Sequence, residues 1–290
     1  MVQPIELSVI IVSWQVKDLL LQTLSSLFST KQKVFFEVIV IDNNSQDGSA
    51  IAVKKLFPQV KLIANTKNVG FAKACHQGVA LANGDLFLFL NDDTKIFDYT
   101  LDGVVEFYKN NQSAGVMGSL ILNPDMSWQP SVRHFPNYKN LIIILLKLHH
   151  IFPNLLNTYL YKNFDFTKLT MVDQVMGAFF ATPRVVWEKL HGFDTKYFIW
   201  FEEVDYCWRV RQANYQVFFN PKVKAIHYGG ASFHQLKALP EQIFFNKSVL
   251  TYAKKNYNTL QYLLILLVIP INLILTSFIH LAEFLILHRR

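Results

Sequence analysis

Cysteine is nearly absent: Cys75 and Cys207 are the only two in 290 residues. They lie far apart with no CxxC spacing, which excludes a disulfide scaffold and a cysteine zinc site and suits a reducing compartment. Glycine-rich phosphate loops are missing too. Ser13-Trp14-Gln15-Val16-Lys17-Asp18 stands where a GxGxxG would follow the first apolar run, and no GxxxxGK[ST] occurs. Dinucleotide-dependent hydride transfer and P-loop ATP hydrolysis recede together. The N-terminus has neither the basic start nor the small-residue cleavage site of a signal peptide, so the first domain is expected to stay cytoplasmic. Only 17% of residues are charged while 51% are hydrophobic, which excludes disorder. From Thr259 to Ile279 charge is lacking altogether, and apolar character continues through Leu281 to Leu287. As a helix this stretch is long enough to cross a bilayer.

What is present begins with a basic balance. Twenty-eight Lys and Arg against 21 Asp and Glu leave a net charge of +7, which suits an anionic partner. The cations are scattered rather than clustered on a motif, so no nucleic acid partner is expected, and a membrane surface explains them better. Leu7 to Val12, Val38 to Ile41, Val60 to Ala64 and Leu86 to Leu90 read as buried strands. Helical spacing separates them at Leu19 to Leu27, in the stretch ending near Phe57-Pro58, and at Phe71 to Ala82. This alternation predicts a doubly wound, mostly parallel sheet whose ligands bind at the carboxyl ends of the strands, where the polar clusters fall. Leu141 to Leu156 is either a core helix or one lying on a membrane. Thr182-Pro183 is expected to open a helix that Gly192 closes, with a further helix at Glu202 to Gln212 and a strand at Gln216 to Phe219.

Three clusters carry candidate chemistry. Asn91-Asp92-Asp93 ends a Leu/Phe strand, and hard oxygen ligands at such a mouth suit a Mg2+ or Mn2+ that bridges a diphosphate, although an ordinary Asx turn has the same composition. Glu202, Glu203 and Asp205 crowd one helix start behind Tyr197-Phe198-Ile199-Trp200; they are either a solvated first turn or a partly desolvated general base. His227, taken with Asp93, is a candidate third metal group that tilts the choice toward Mn2+.

The series Ser8 to Trp14, Ile41-Asp42-Asn43-Asn44-Ser45-Gln46-Asp47-Gly48-Ser49, Asn68-Val69-Gly70-Phe71-Ala72, Leu90 to Asp93, Gly177-Ala178, Gly192-Phe193-Asp194 and Phe201 through Arg209 resembles family 2 of the glycosyltransferases over roughly residues 5 to 235. It is most similar to the bacterial branch that includes rhamnosyltransferases of cell-surface polysaccharide synthesis. The resemblance implies an A-type glycosyltransferase fold with a Rossmann-like nucleotide-binding half, a nucleotide-diphosphate sugar donor, a divalent metal, and inversion at the anomeric carbon. It also implies roles. Ser13, Asp42 and Asn68 fall in the nucleotide pocket, and Asp92 beside the donor. Asp93 takes the last place of the metal triplet, with Asn91 and His227 as its companions. Glu203 takes the catalytic-base place with Glu202 beside it, and Gly177 lies on the acceptor side of the donor sugar. Two departures stand out: Asn91 replaces an Asp, and His76 replaces the usual Asn.

The implied organisation is a catalytic domain over residues 1–257, with a nucleotide-binding half at about 5–95 and an acceptor-side half at about 96–235, followed by a hydrophobic membrane-associating segment at 258–290. The expected partners are the nucleotide sugar, a glycan or lipid-linked glycan acceptor, and the cytoplasmic face of the cell membrane. A silent sugar-nucleotide-binding protein and a nucleotidyltransferase are the competing readings.

Overall fold

The computed structural model describes residues 4–229 and 238–287. The first third is the alternating unit predicted: β1 (Leu7–Ser13), α1 (Lys17–Ser29), β2 (Phe36–Asp42), α2 (Ser49–Leu56), β3 (Lys61–Ala64), α3 (Phe71–Leu81) and β4 (Leu86–Leu90). The β-branched run of β1 is buried on both faces, and α1 covers it with Leu20, Leu24 and Leu27. Then come β5 (Thr94–Ile96), α4 (Thr100–Asn110), β6 (Ala114–Leu122), β7 (Val132–Arg133), α5 (Tyr138–Leu145), β8 (Thr170–Met171), β9 (Gln174–Val175), β10 (Phe179–Pro183), α6 (Arg184–Lys189), α7 (Glu202–Gln212), β11 (Gln216–His227), α8 (Ala238–Asn256) and α9 (Thr259–Leu287).

The main sheet runs β3-β2-β1-β4-β10-β6-β11-β5, with β8 on β11, and β7 pairs with β9. The β3-β2-β1-β4 half is wholly parallel. Beyond it the sheet is mixed, because β10 enters antiparallel between β4 and β6, and β5 and β8 run antiparallel to β11. Thr182-Pro183 does lead into a helix, α6, with Pro183 as its N-cap, one residue later than expected, and both residues also belong to β10, where Pro183 pairs with Leu86. The strand at Gln216 runs on to His227, which lies opposite Thr94 of β5. Leu141 to Leu156 is neither of the single helices expected. It breaks after α5 at Lys147, whose φ is 55°, into two short 3-10 turns.

Arg209 ties α7 to the turn that follows α6. It donates to Asp205 Oδ2 at 2.7 Å and to the carbonyls of Leu190 and Gly192 at 2.7 and 2.8 Å. Asp205 is 1% exposed and also meets Lys255 at 2.5 Å. Arg209→Ala leaves a buried carboxylate and two carbonyls short of donors. It is expected to cost about 2–3 kcal/mol and to lower the melting temperature by roughly 5–12 °C, with Lys a poor substitute for the fork. A thermal melt checks this.

The helix α9 docks by one stripe. Ile265, Asn272 and Thr276 are buried, and Asn272 donates to Leu145 O at 2.6 Å and accepts from Asn246 at 2.8 Å. Leu260, Leu267, Ile271, Ile274 and Phe278 stay exposed. The window Thr259–His280 has a mean hydropathy of 2.5 and is only 17% buried. It is one continuous helix through Pro270. Arg289-Arg290 and the boundary at residue 235 lie outside the described residues.

Candidate active site

Parallel register brings the polar strand ends level. Ser13 at the end of β1 pairs with Asp42 at the end of β2, and Asp42 with Ala64 of β3. The loops after these strands are laced together. Gln15 N donates to Ser45 Oγ at 2.9 Å, Lys17 N to Asp47 Oδ2 at 2.7 Å, and Ser45 N to Asp42 Oδ2 at 3.0 Å. Gly48 holds φ 84°, a left-handed conformation natural to glycine, and precedes α2. Asn68 caps its own loop by accepting from Gly70 N at 2.9 Å. Gly70 in turn allows no side chain, because a Cβ there would lie 2.6 Å from Phe198 O. That contact clamps the nucleotide-side loop onto the aromatic segment preceding α7.

The triplet Asn91-Asp92-Asp93 sits between the two halves. Thr23 of α1 donates to the carbonyls of Asp92 and Thr94 at 2.9 and 2.7 Å, and Asn91 N donates to Ala178 O at 3.0 Å. Burial, then the neighbouring Asp93 charge, push the Asp92 carboxyl up to about 8. Asp93 Oδ1 lies 3.2 Å from His227 Nε2, and the Asn91 amide is 3.2 Å from the same nitrogen. On the far side of that imidazole, Nδ1 is 2.7 Å from Gln129 Oε1. Asp93 and His227 thus bring one carboxylate oxygen and one imidazole nitrogen together, with Asp93 Oδ1 buried and unbonded. Among the described residues no group of three His, Cys, Asp or Glu could hold a metal. The pair fits an ion completed by oxygens from a bound diphosphate, as hard divalent cations require.

Glu202 and Glu203 open α7. A Cβ placed on Gly177 would touch the Glu203 side chain at 3.9 Å, so Gly177-Ala178 stands between Glu203 and Asn91. Burial pushes both glutamates up; Glu203's charge adds to the effect on Glu202, while Arg133 opposes it at Glu203. The neighbouring Asp205 is engaged by Arg209, Lys255 and Tyr197. His76 does not enter the site: its Nε2 contacts Phe193 O at 2.8 Å and its ring packs on Trp187. It supports the turn at Gly192.

Seven buried side-chain oxygens and nitrogens among the described residues lack a hydrogen bond, and five belong to Ser13, Asp42, Asp93, Glu202 and Glu203. Orphaned polar atoms are rare because each carries a desolvation penalty. All five fall at positions singled out in the sequence, on the ends of β1 and β2, after β4 and at the start of α7. Thr23, Gln129 and Arg133 escaped the sequence reading, since no local motif marks a residue whose partner lies on another element.

Residues 8–183, more than half of the chain, match the profile described as glycosyl transferase family 2. The chain belongs to that family. Among its relatives is an N-acetylglucosaminyl-diphospho-decaprenol L-rhamnosyltransferase of Mycobacterium tuberculosis, 25% identical over 207 residues, a match spanning 66% of each chain. A dolichol-phosphate mannosyltransferase of Pyrococcus furiosus is 26% identical over 139 residues, or 47% of this chain and 38% of the relative. A mannosyltransferase of Pyrobaculum calidifontis, solved in complex with GDP-Man and Mn2+, superposes with a TM-score of 0.59 over 97% of this chain and 75% of its own, at 17% identity. That likeness shows the shared fold of this family 2 chain.

Proposed function

We propose that this chain is an inverting glycosyltransferase that moves a sugar from a nucleotide-diphosphate sugar to the hydroxyl of a lipid-linked glycan at the membrane. The observation that carries it is the coincidence of the five orphaned polar atoms with the motif positions of family 2. Ser13, Asp42 and Asn68 line the nucleotide end and Asp92 adjoins it. Asp93 and His227, with Asn91 beside them, would hold Mn2+ or Mg2+; the Mn2+ of the Pyrobaculum structure supports the former. When bound, the ion supplies charge neutralisation to the departing diphosphate. Glu203 takes the proton of the acceptor hydroxyl as that oxygen attacks the anomeric carbon, and the nucleoside diphosphate leaves on the opposite face. No protein acid has to protonate a leaving group that departs as an anion. Gly177 keeps the space between base and sugar free of a side chain.

The relatives' names support a polyprenyl-linked acceptor. Beside α9 lies a cavity of about 370 Å³ whose lining mixes Lys147, His149 and His150 with Glu241 and reaches Trp200. Trp200 precedes Glu203 by three residues, a reach of at most about 11 Å.

Incubation with nucleotide sugars, Mn2+ and a polyprenyl-diphosphate acceptor tests the reading. A released nucleoside diphosphate with an inverted glycosidic product is expected. Released pyrophosphate indicates nucleotidyl transfer instead, and binding without turnover indicates a silent protein.

The exposed face of α9 is proposed to hold the enzyme to the membrane. Leu267 and Ile274 are 69% and 56% exposed. Charged residues cost about 2.5–3.5 kcal/mol each in a bilayer, so Leu267→Asp with Ile274→Asp is expected to abolish flotation with vesicles. The docked stripe is untouched, so the melting temperature in detergent should hold.

A further inference from the structure

We propose that the turn Asn123–Gln129 is a positioning relay that fixes the tautomer of His227 and so aims its Nε2 lone pair at the metal position beside Asp93. The inference rests on the reading of Asp93 and His227 as metal ligands. Its own content is the assignment of a role to Gln129, Asn123, Ser127 and Asp125.

The direction of the relay is fixed at its outer end. Asp125 is an exposed carboxylate and can only accept; the Ser127 hydroxyl donates to its Oδ1 at 2.6 Å and the Ser127 amide at 3.0 Å. These two bonds hold its carboxyl below the ordinary range. With its proton committed, Ser127 Oγ accepts from Asn123 Nδ2 at 2.9 Å. The orientation of the Asn123 amide follows, because a flipped amide would set oxygen against oxygen. Asn123 Oδ1 therefore faces outward to Gln129 and accepts from its Nε2 at 3.0 Å. The Gln129 amide is oriented in turn, and Oε1 is left toward His227. At 2.7 Å that oxygen requires a proton on Nδ1, so His227 Nδ1–H donates to it. A neutral imidazole with its proton on Nδ1 carries a lone pair on Nε2. Nε2 is the atom that accepts from the Asn91 amide and lies 3.2 Å from Asp93 Oδ1.

Backbone geometry holds the relay rigid. Gln129 N donates to Ile121 O at 2.9 Å, Asn123 N to Ser127 O at 2.8 Å, and Tyr228 N to Asp93 O at 2.9 Å. The turn is thus anchored on β6, and His227 on the loop that carries Asp93. Partners that hold a ligating histidine are typically worth 10–100-fold in metal affinity.

The test uses full-length protein in detergent, labelled with 15N at histidine, with Mn2+ alone as the probe. The His227 resonances, assigned by their loss in His227→Asn, should report a proton on Nδ1 in the metal-free wild type. Gln129→Met keeps the length but removes the acceptor; it should give a mixture of tautomers and weaken Mn2+ binding by about 10–100-fold. Gln129→Glu restores an acceptor for Nδ1 once the Asn123 amide turns to donate to the second carboxylate oxygen, and should then restore both the tautomer and the affinity. Gln129 is only part-buried, so both variants are expected to fold. A wild-type proton on Nε2 overturns the proposal, and so does a Gln129→Met protein in which either the tautomer or the Mn2+ affinity is unchanged. Asp93→Asn separates the two readings: normal Mn2+ binding there removes the metal site itself, whereas the tautomer of His227 is read without metal.

Discussion

Replacing Glu203 with Gln is expected to lower glycosyl transfer by about 10²-fold or more while nucleotide-sugar binding persists, because the change keeps the shape of the side chain and removes its proton-accepting oxygen. Three acids begin α7, and the structure separates them. Asp205 is spoken for by Arg209 at 2.7 Å and Lys255 at 2.5 Å, so Asp205→Asn should act through stability. Glu202 faces the core near Cys75, whose thiol its charge pushes up further. Glu203 lies against Gly177, on the side that leads to the metal triplet. A base must be deprotonated to work, and burial raises this one. Transfer should therefore be lost as pH falls through a value above the ordinary glutamate range, and the limb belongs to the Glu202–Glu203 pair rather than to one residue. Stability should move the other way. A carboxyl raised by burial favours the fold when protonated, so at pH 8 Glu203→Gln should melt no lower than wild type. Turnover in Glu202→Gln, Glu203→Gln and Asp205→Asn, measured side by side, decides the assignment. Near-normal transfer in the Glu203 variant with collapse in the Glu202 variant shifts the base by one residue.

The nucleotide-side half was legible because each of its strands is a short apolar run closed by turn formers, and because parallel register aligns their ends. That regularity puts Ser13 beside Asp42 without any long-range information. The acceptor side was harder to read. β10 is a strand whose last residue is a proline, and the pattern Thr-Pro before a helix signals a helix start equally well. Pairing with Leu86, a tertiary effect, makes the dipeptide a strand end as well. Leu141 to Leu156 is apolar enough for one helix, but Lys147 adopts a left-handed φ and Pro153 starts a new turn. Asp93, Glu203 and His227 could be named from motif positions. Their supports could not, since Gln129 meets His227 across 98 residues of sequence and Thr23 meets the triplet across 69.

Asp93→Ala is expected to abolish Mn2+-dependent donor binding altogether. Asp93 brings the one carboxylate oxygen that faces His227 Nε2 and has no other bond. Its neighbours cannot replace it: Asn91 is uncharged and gives its amide to the same histidine, and the buried surroundings of Asp92 disfavour its anion. A diphosphate brought to this end of the sheet would then have no ion to compensate its charge. Nucleoside contacts at Ser13 and Asp42 lie on the neighbouring strands and should survive, so weak metal-independent binding is the expected residue of affinity. Titration calorimetry with UDP, GDP and dTDP, each with Mn2+ and with chelator, makes the comparison. Wild-type protein should show a large Mn2+ dependence for one of the three, and the variant should show the chelator value under both conditions. An Asp93→Ala protein that keeps the full Mn2+ dependence would remove Asp93 from the metal site and, with it, the reason for its orphaned oxygen.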